Sequence, residues 1–215
     1  MKFKSAIALG VFLLCGTAGF AQEVQRFEAF LEYSYLRFNP TIPHFNNRSF
    51  NGGGGGITFN LTNDFGIKAE FIGYGSTSWS KTLSGPVATP RGTIPAGTYS
   101  TQANMFTYLF GPVVKVPISS ITPYGEILFG GSNSNGYANF TRAVNRLGGT
   151  FSASTSGTQH PFTMAVGGGV DVHLGHNWSL RPVEVDYVLT RYTNPFSDTN
   201  NQNHFRYLAG VAYRF

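Results

Sequence analysis

From residue 27 onward the dominant pattern is alternation, with apolar and polar positions exchanging every second residue. Period two is the signature of a strand with unlike faces. Eight segments show it: 27–38, 49–61, 65–80, 99–116, 122–138, 161–174, 178–192 and 204–215. Each is long enough to cross a bilayer as a tilted strand, for which about 9–11 residues suffice. No stretch beyond residue 22 shows convincing helical periodicity.

The connections between these segments sort by length. Three are tight: "TND" at 62–64, "PISSI" at 117–121 and "GHN" at 175–177. The other four, at 39–48, 81–98, 139–160 and 193–203, are longer, and the two classes alternate strictly along the chain. Such sorting is expected when one rim of a barrel meets the periplasm and the other meets the outside. The predicted fold is therefore all-β: an eight-stranded antiparallel up-and-down transmembrane β-barrel with four long outer loops and three short periplasmic turns. Pro112 falls mid-strand, where it removes a ladder donor, so a bulge is expected near Gly111–Pro112. Pro182, nearer a strand end, is less disruptive.

Parity also sorts the charges. Glu28, Glu32, Lys68, Glu70, Lys115, Glu126, Asp171, Glu184, Asp186, Arg206 and Arg214 all fall on the less apolar face. The opposite faces carry runs such as Ile57-Phe59-Leu61 and Val183-Val185-Tyr187-Leu189. A Lys or Arg facing lipid at mid-membrane costs about 2–4 kcal/mol, which accounts for the segregation. An eight-stranded barrel has room inside only for side chains, so these groups are expected to form an interior polar network. The five glycines Gly52–Gly56 sit in a strand. A phosphate loop would need a following helix and a Lys-Ser/Thr pair, and neither is present. If "TND" is tight, residues paired across it sum to about 126. Gly52, Gly54 and Gly56, with Gly167 and Gly169 of "VGGGVD", are then small lumen-facing residues that relieve crowding from Glu70 and Tyr74, and near Asp171.

Composition agrees with this reading. Of 215 residues only 12% are charged, 15% are aromatic and 27 are glycine. Mean hydropathy is −0.08, too low for a bundle of membrane helices. Residues 1–21 have the form of a signal peptide: Lys2 and Lys4, then an apolar core, then small residues before an expected cleavage between Ala21 and Gln22. Residues 22–215 form the barrel domain. Leu14 stands where a lipidated Cys15 would want a small residue. Cleavage removes the chain's single cysteine and lowers its formal charge from +5 to +3.

The signal peptide, the loop alternation and the closing "AYRF" together resemble small outer-membrane barrels of the OmpA type, in the free-standing form. That resemblance implies a Gram-negative outer membrane, and contact with its lipid and lipopolysaccharide. It also implies a C-terminal signal, at Tyr207, Val211, Tyr213 and Phe215, read by the barrel-assembly machinery. The chain shows no periplasmic OmpA-like domain, so peptidoglycan binding is not implied.

Candidate chemistry is sparse. A lipid-modifying enzyme on this fold needs Ser, His and a carboxylate grouped on the lipid-facing side. None of His44, His160, His173, His176 and His204 has an acidic neighbour there, so no catalytic residue is assigned. HxH, HExxH and acidic calcium loops are all absent, so neither a metal ligand nor a cofactor is assigned, and no nucleic-acid partner is expected. The outer end is basic. Arg37, Lys81 and Arg191 have lipid-facing parity at the strand tops, and Arg48, Arg91, Arg142 and Arg146 lie in loops, opposed only by Asp198. The three rim residues form a candidate lipopolysaccharide-facing collar. Trp79 and Trp178 are expected in the outer and inner aromatic girdles. Two roles follow: a structural or interaction protein displaying mobile outer loops, or a small cation-preferring pore. The pore's interior would hold seven acids against four bases, with Lys115 diagonal to Glu126.

Overall fold

The computed structural model describes residues 26–39, 47–151, 158–198 and 200–215. The signal segment, its cleavage site and His44 lie outside these residues. The barrel strands are β1 (Phe27–Phe38), β2 (Arg48–Asn60), β3 (Phe65–Leu83), β6 (Gly97–Lys115), β7 (Ile121–Ser134), β8 (Phe162–His173), β9 (Trp178–Arg191) and β10 (Asn201–Arg214). A short hairpin, β4 (Val87–Thr89) with β5 (Gly92–Ile94), stands on the β3–β6 connection. The eight long strands close in the order β1-β10-β9-β8-β7-β6-β3-β2, each antiparallel to its neighbours. Closure leaves no open edge within the eight-stranded wall, the condition for placing strands in lipid.

Alternation in burial repeats the alternation in sequence. The outer wall exposes Leu31, Ile57, Ile67, Phe71, Phe110, Val114, Phe129, Val185 and Tyr207, while the inward positions are buried. At the short-turn end Phe27, Phe59, Phe215, Tyr213 and Trp178 touch ring to ring in an aromatic band, which places Trp178 in a girdle. Near the opposite rim, the exposed Tyr33 donates to Asn51 Oδ1 (2.6 Å), and the Tyr35 hydroxyl lies 2.6 Å from Ser49 Oγ.

Two bulges depart from the expected register. Pro112 lies opposite Ile67 in an uninterrupted β3–β6 ladder. The β6–β7 register is the same on both sides of Gly111–Pro112, so no bulge forms there. The proline lies on the lipid side, and its missing donor interrupts only the β6–β7 hydrogen bonding. The bulge falls instead at Pro182–Val183. Leu208 faces Glu184 and Gly210 faces Arg181, so β9 has one more residue than β10, and it has one more than β8 between Val170 and Val172. Pro182 and Val183 are both exposed, and parity switches across them. The second bulge sits at Gly75–Ser76, where β3 gains a residue on β6 between Tyr74 and Thr77.

The outer end corrects the expectation of four mobile loops without helix. β3 and β6 run past the barrel as a paired ribbon up to Leu83 and Gly97. The β7–β8 connection contains an α-helix, α1 (Gly136–Arg146), which buries Tyr137, Ala138, Phe140, Thr141 and Val144. These residues share one face at helical spacing. Tyr137, Phe140 and Val144 pack with Leu83, Ile94, Tyr99, Phe151, Tyr192 and Phe196 into an apolar cluster over the barrel mouth. Phe140 is its hub, within 6 Å of Trp79, Tyr99 and Phe196 by ring centroid. Phe140→Ala is expected to cost about 3–5 kcal/mol of local stability, the usual range for removing a buried Phe. The measurement is limited proteolysis, with faster cleavage at the outer end and an intact barrel fragment.

Candidate functional site

The lumen holds the densest chemistry in the molecule. β3 contributes Lys68 and Glu70, β7 Glu126, β8 Asp171, β9 Arg181, Glu184 and Asp186, and β10 Arg206. All are inward-facing and nearly inaccessible. Lys68 Nζ donates to Glu126 (3.1 Å) and Glu184 (3.0 Å) and lies 3.3 Å from Glu70. Arg206 pairs with Glu70 and donates to Asp186 at 2.6 and 2.8 Å. Lys115 and Arg214 both donate to Glu28, each at 3.0 Å. Lys115 lies diagonal to Glu126 in the register, as expected, but its ammonium pairs with Glu28 on the first strand, and Lys68 pairs with Glu126.

Arg181 organises the middle of this network. Its guanidinium takes Asp171 bidentately (2.8 and 3.2 Å) and also donates to Glu32 (2.6 Å) and Glu28 (3.3 Å). It lies between the rings of Phe30 and Tyr124, 5.2 and 4.7 Å from their centroids. Tyr124 in turn donates to Glu184. Simple parity puts Arg181 on the lipid face; the Pro182 bulge brings it inside. The lumen thus holds seven acids and five bases, with Glu32 Oε2 and Asp186 Oδ1 left without a hydrogen-bond partner.

Outward of these ions the inward positions turn largely uncharged. Ile72 follows Glu70, Leu128 follows Glu126 and Val188 follows Asp186. Leu109, Leu128, Ala165 and Val188 form one buried apolar cluster. Leu36, Phe50, Ile72, Tyr74, Met105 and Leu208 belong to a second. Above them the Phe140 cluster covers the mouth. His204 is buried here, stacked on Phe38 at 4.4 Å, and its Nδ1 accepts from the Asn39 amide. His173, near the short-turn end, has its ring nitrogens 3.0 Å from Thr122 Oγ1 and Ser179 Oγ.

The glycines take the expected register: Gly52 faces Tyr74, Gly54 faces Ile72 and Gly56 faces Glu70. What crowds them is mostly backbone. A Cβ on Gly54 would stand 1.9 Å from the Phe71 carbonyl oxygen, and one on Gly56 would stand 1.9 Å from that of Ala69. Side chains crowd them too, but only at Gly52 is it the expected one, Tyr74. At Gly56 the neighbour is Phe30 rather than Glu70, at Gly167 it is Asp186 rather than Asp171, and at Gly169 it is Tyr124.

Comparison with solved structures bears on the architecture. Neisserial surface protein A superposes with a TM-score of 0.56 at 13% identity, over 88% of this chain and 97% of that one. The chain has the fold of a small outer-membrane β-barrel. Weaker overlaps are with Ail of Yersinia pestis (TM-score 0.45, 13% identity, 88% and 99% covered) and OprG of Pseudomonas aeruginosa (0.49, 12%, 90% and 99%). No family model and no curated sequence matches the chain.

On this barrel the candidate collar loses a member. Arg37 and Arg191 lie exposed on the outer wall at the rim. Lys81, past the Gly75–Ser76 bulge, shares the inward face of Trp79 and Leu83. Trp79 accordingly leaves the girdle: it packs on Phe140 and lies 5.1 Å beneath Arg48. Arg91 pairs with Asp198 at an exposed site (3.3 Å), a contact worth little in water. Tyr207, Val211, Tyr213 and Phe215 line up on the outer face of β10.

Proposed function

We propose that this protein serves the outer membrane as a closed scaffold, a structural and interaction barrel that presents an ordered outer platform. The observation that carries the reading is the stacking of three obstructions along one lumen: a buried ionic network, apolar layers outward of it, and a folded cap over the mouth. A cation-preferring pore fits less well, because Ile72, Leu109 and Leu128, all fully buried, fill the lumen outward of the ions and leave no open path among the described residues. A lipid-modifying enzyme has no Ser-His-carboxylate set on the outer wall to support it among the described residues. Arg37 and Arg191 hold lipopolysaccharide phosphates at the rim, since arginine forms charge-assisted and often bidentate bonds to phosphate. The aligned Tyr207, Val211, Tyr213 and Phe215 serve as the signal for the assembly machinery.

Single-cysteine labelling tests the display. Thr150→Cys, exposed just past α1, should react with a membrane-impermeant maleimide on intact cells. Asn63→Cys, in the β2–β3 turn, should react only after the outer membrane is permeabilised. Equal labelling of both in intact cells, or of neither, contradicts the reading. A second measurement addresses the rim. Replacing Arg37 and Arg191 together with Gln is expected to remove most of the thermal stabilisation that added lipopolysaccharide gives the detergent-solubilised barrel, measured by heat-modifiable gel migration.

A further inference from the structure

The apolar cluster leaves one polar concavity at the outer end. β6 rises beyond the end of β7, and α1 is pinned along that free edge: Asn139 Nδ2 donates to the Gln102 carbonyl (2.7 Å), and the Asn104 amide donates to Asn135 Oδ1 (3.2 Å). Between the helix and the ribbon lies a groove of about 600 Å³ whose lining includes Trp79, Ser80, Ser100, Gln102, Arg142 and Arg146. The two arginines stand one helical turn apart and so share a face. Arg142 is oriented by a bond from Nη1 to Asn139 Oδ1 (3.1 Å). The lining contains no acidic residue, and Asp198, the one acidic side chain among the described outer-end residues, pairs with Arg91.

We infer that this groove is a binding site for an anionic saccharide, a sugar carrying phosphate or sulfate. Three features favour that class over a bare solvated helix face. The guanidinium pair supplies charge-assisted donors suited to oxyanions. The hydroxyls and amides of Ser80, Ser100 and Gln102 match the alternating donors and acceptors of sugar hydroxyls. The edge of Trp79, held between Phe140 and Arg48, gives the groove an apolar border that the CH groups of a sugar can meet. The site rests on the proposed outward display of α1, and its chemistry admits two sources: phosphorylated core sugars of the surrounding lipopolysaccharide, or a sulfated polymer from outside the cell.

The test uses the full detergent-solubilised protein carrying Trp178→Phe, so that Trp79 becomes the only tryptophan reporter. It is titrated with phosphorylated core oligosaccharide in one arm and dextran sulfate in the other, with unmodified dextran as the blank. A saturable change in Trp79 emission is expected with at least one of the charged ligands, weakening as salt rises. Whichever ligand responds identifies the source. Arg142→Gln with Arg146→Gln should raise the Kd at least tenfold. Arg91→Glu, which lowers the charge by the same two units elsewhere on the outer end, should change it less than twofold. Ser100→Phe fills the groove without altering charge and should also abolish the response, which covers the case in which the double variant disturbs α1. The inference is overturned if neither ligand responds, or if binding survives both the double variant and Ser100→Phe. Maleimide labelling of Thr150→Cys, outside the groove lining, is independent of these outcomes, so loss of the saccharide site and loss of outward display are told apart.

Discussion

Arg181→Met is expected to be the most destabilising single change of an ionic side chain in the lumen. The arginine is 2% exposed and contacts Asp171, Glu32, Glu28 and Glu184. Removing one partner of a buried ion pair typically costs about 3–5 kcal/mol, because the remaining charge stays desolvated and unpaired. Here four carboxylates lose a shared cation at once, and seven acids are left facing four bases. Urea unfolding of the protein in lipid vesicles should show a loss at the upper end of that range. Adding Glu32→Gln should return part of it, since one fewer carboxylate then needs a partner, and the two changes should be strongly non-additive. A loss below about 1 kcal/mol would mean that the carboxylates do not depend on Arg181.

The second large effect is steric. Gly54→Val should prevent folding, and so should Gly56→Val, because in each case the first added carbon would fall 1.9 Å from a neighbouring carbonyl oxygen. Backbone on the adjacent strand cannot yield without breaking the barrel's closure. At the adjacent position, and at the residue paired with it on β3, the expectation reverses. A Cβ on Gly53 meets only the Glu32 carbonyl, at 3.5 Å, and one on Gly73 meets nothing nearer than 3.8 Å. Gly53→Ala and Gly73→Ala should therefore fold with stability within about 0.5 kcal/mol of the parent, as surface substitutions usually do. Heat-modifiable migration after refolding gives the readout for all four, and equal tolerance at Gly53 and Gly54 would contradict the close-approach reading. The glycine run is thus less a cavity cut for Glu70 than a stretch where neighbouring backbones come too close for any side chain.

Most of the barrel was legible in the sequence because lipid and lumen impose opposite chemistry on alternate residues. The first strand, 27–38, matches its predicted bounds, and the others lie within a few residues of theirs. Parity arithmetic failed where a bulge resets it. Arg181 was missed for that reason, and Lys81 and Trp79 were assigned to the wrong face. The proline at 182 was the visible signal for the first bulge, while Gly75 before Ser76 was a weak one for the second. α1 was hidden differently. Its buried positions at 137, 140, 141 and 144 do carry helical spacing, but the segment opens on glycine and no side chain caps its start, so "GYA" reads as the tail of β7. The cap cluster draws on residues far apart in the chain, from Leu83 to Phe196, and no local pattern announces such a tertiary core. Ion-pair partners were beyond reach as well, because they depend on which strands face each other across the lumen.

The claim that joins these observations is that the lumen is closed. Planar-bilayer recording of the purified, heat-modifiable protein tests it most directly. The closed scaffold predicts a silent membrane at every applied voltage the bilayer withstands. Steady cation-selective current steps, scaling with the amount of folded protein, would contradict it.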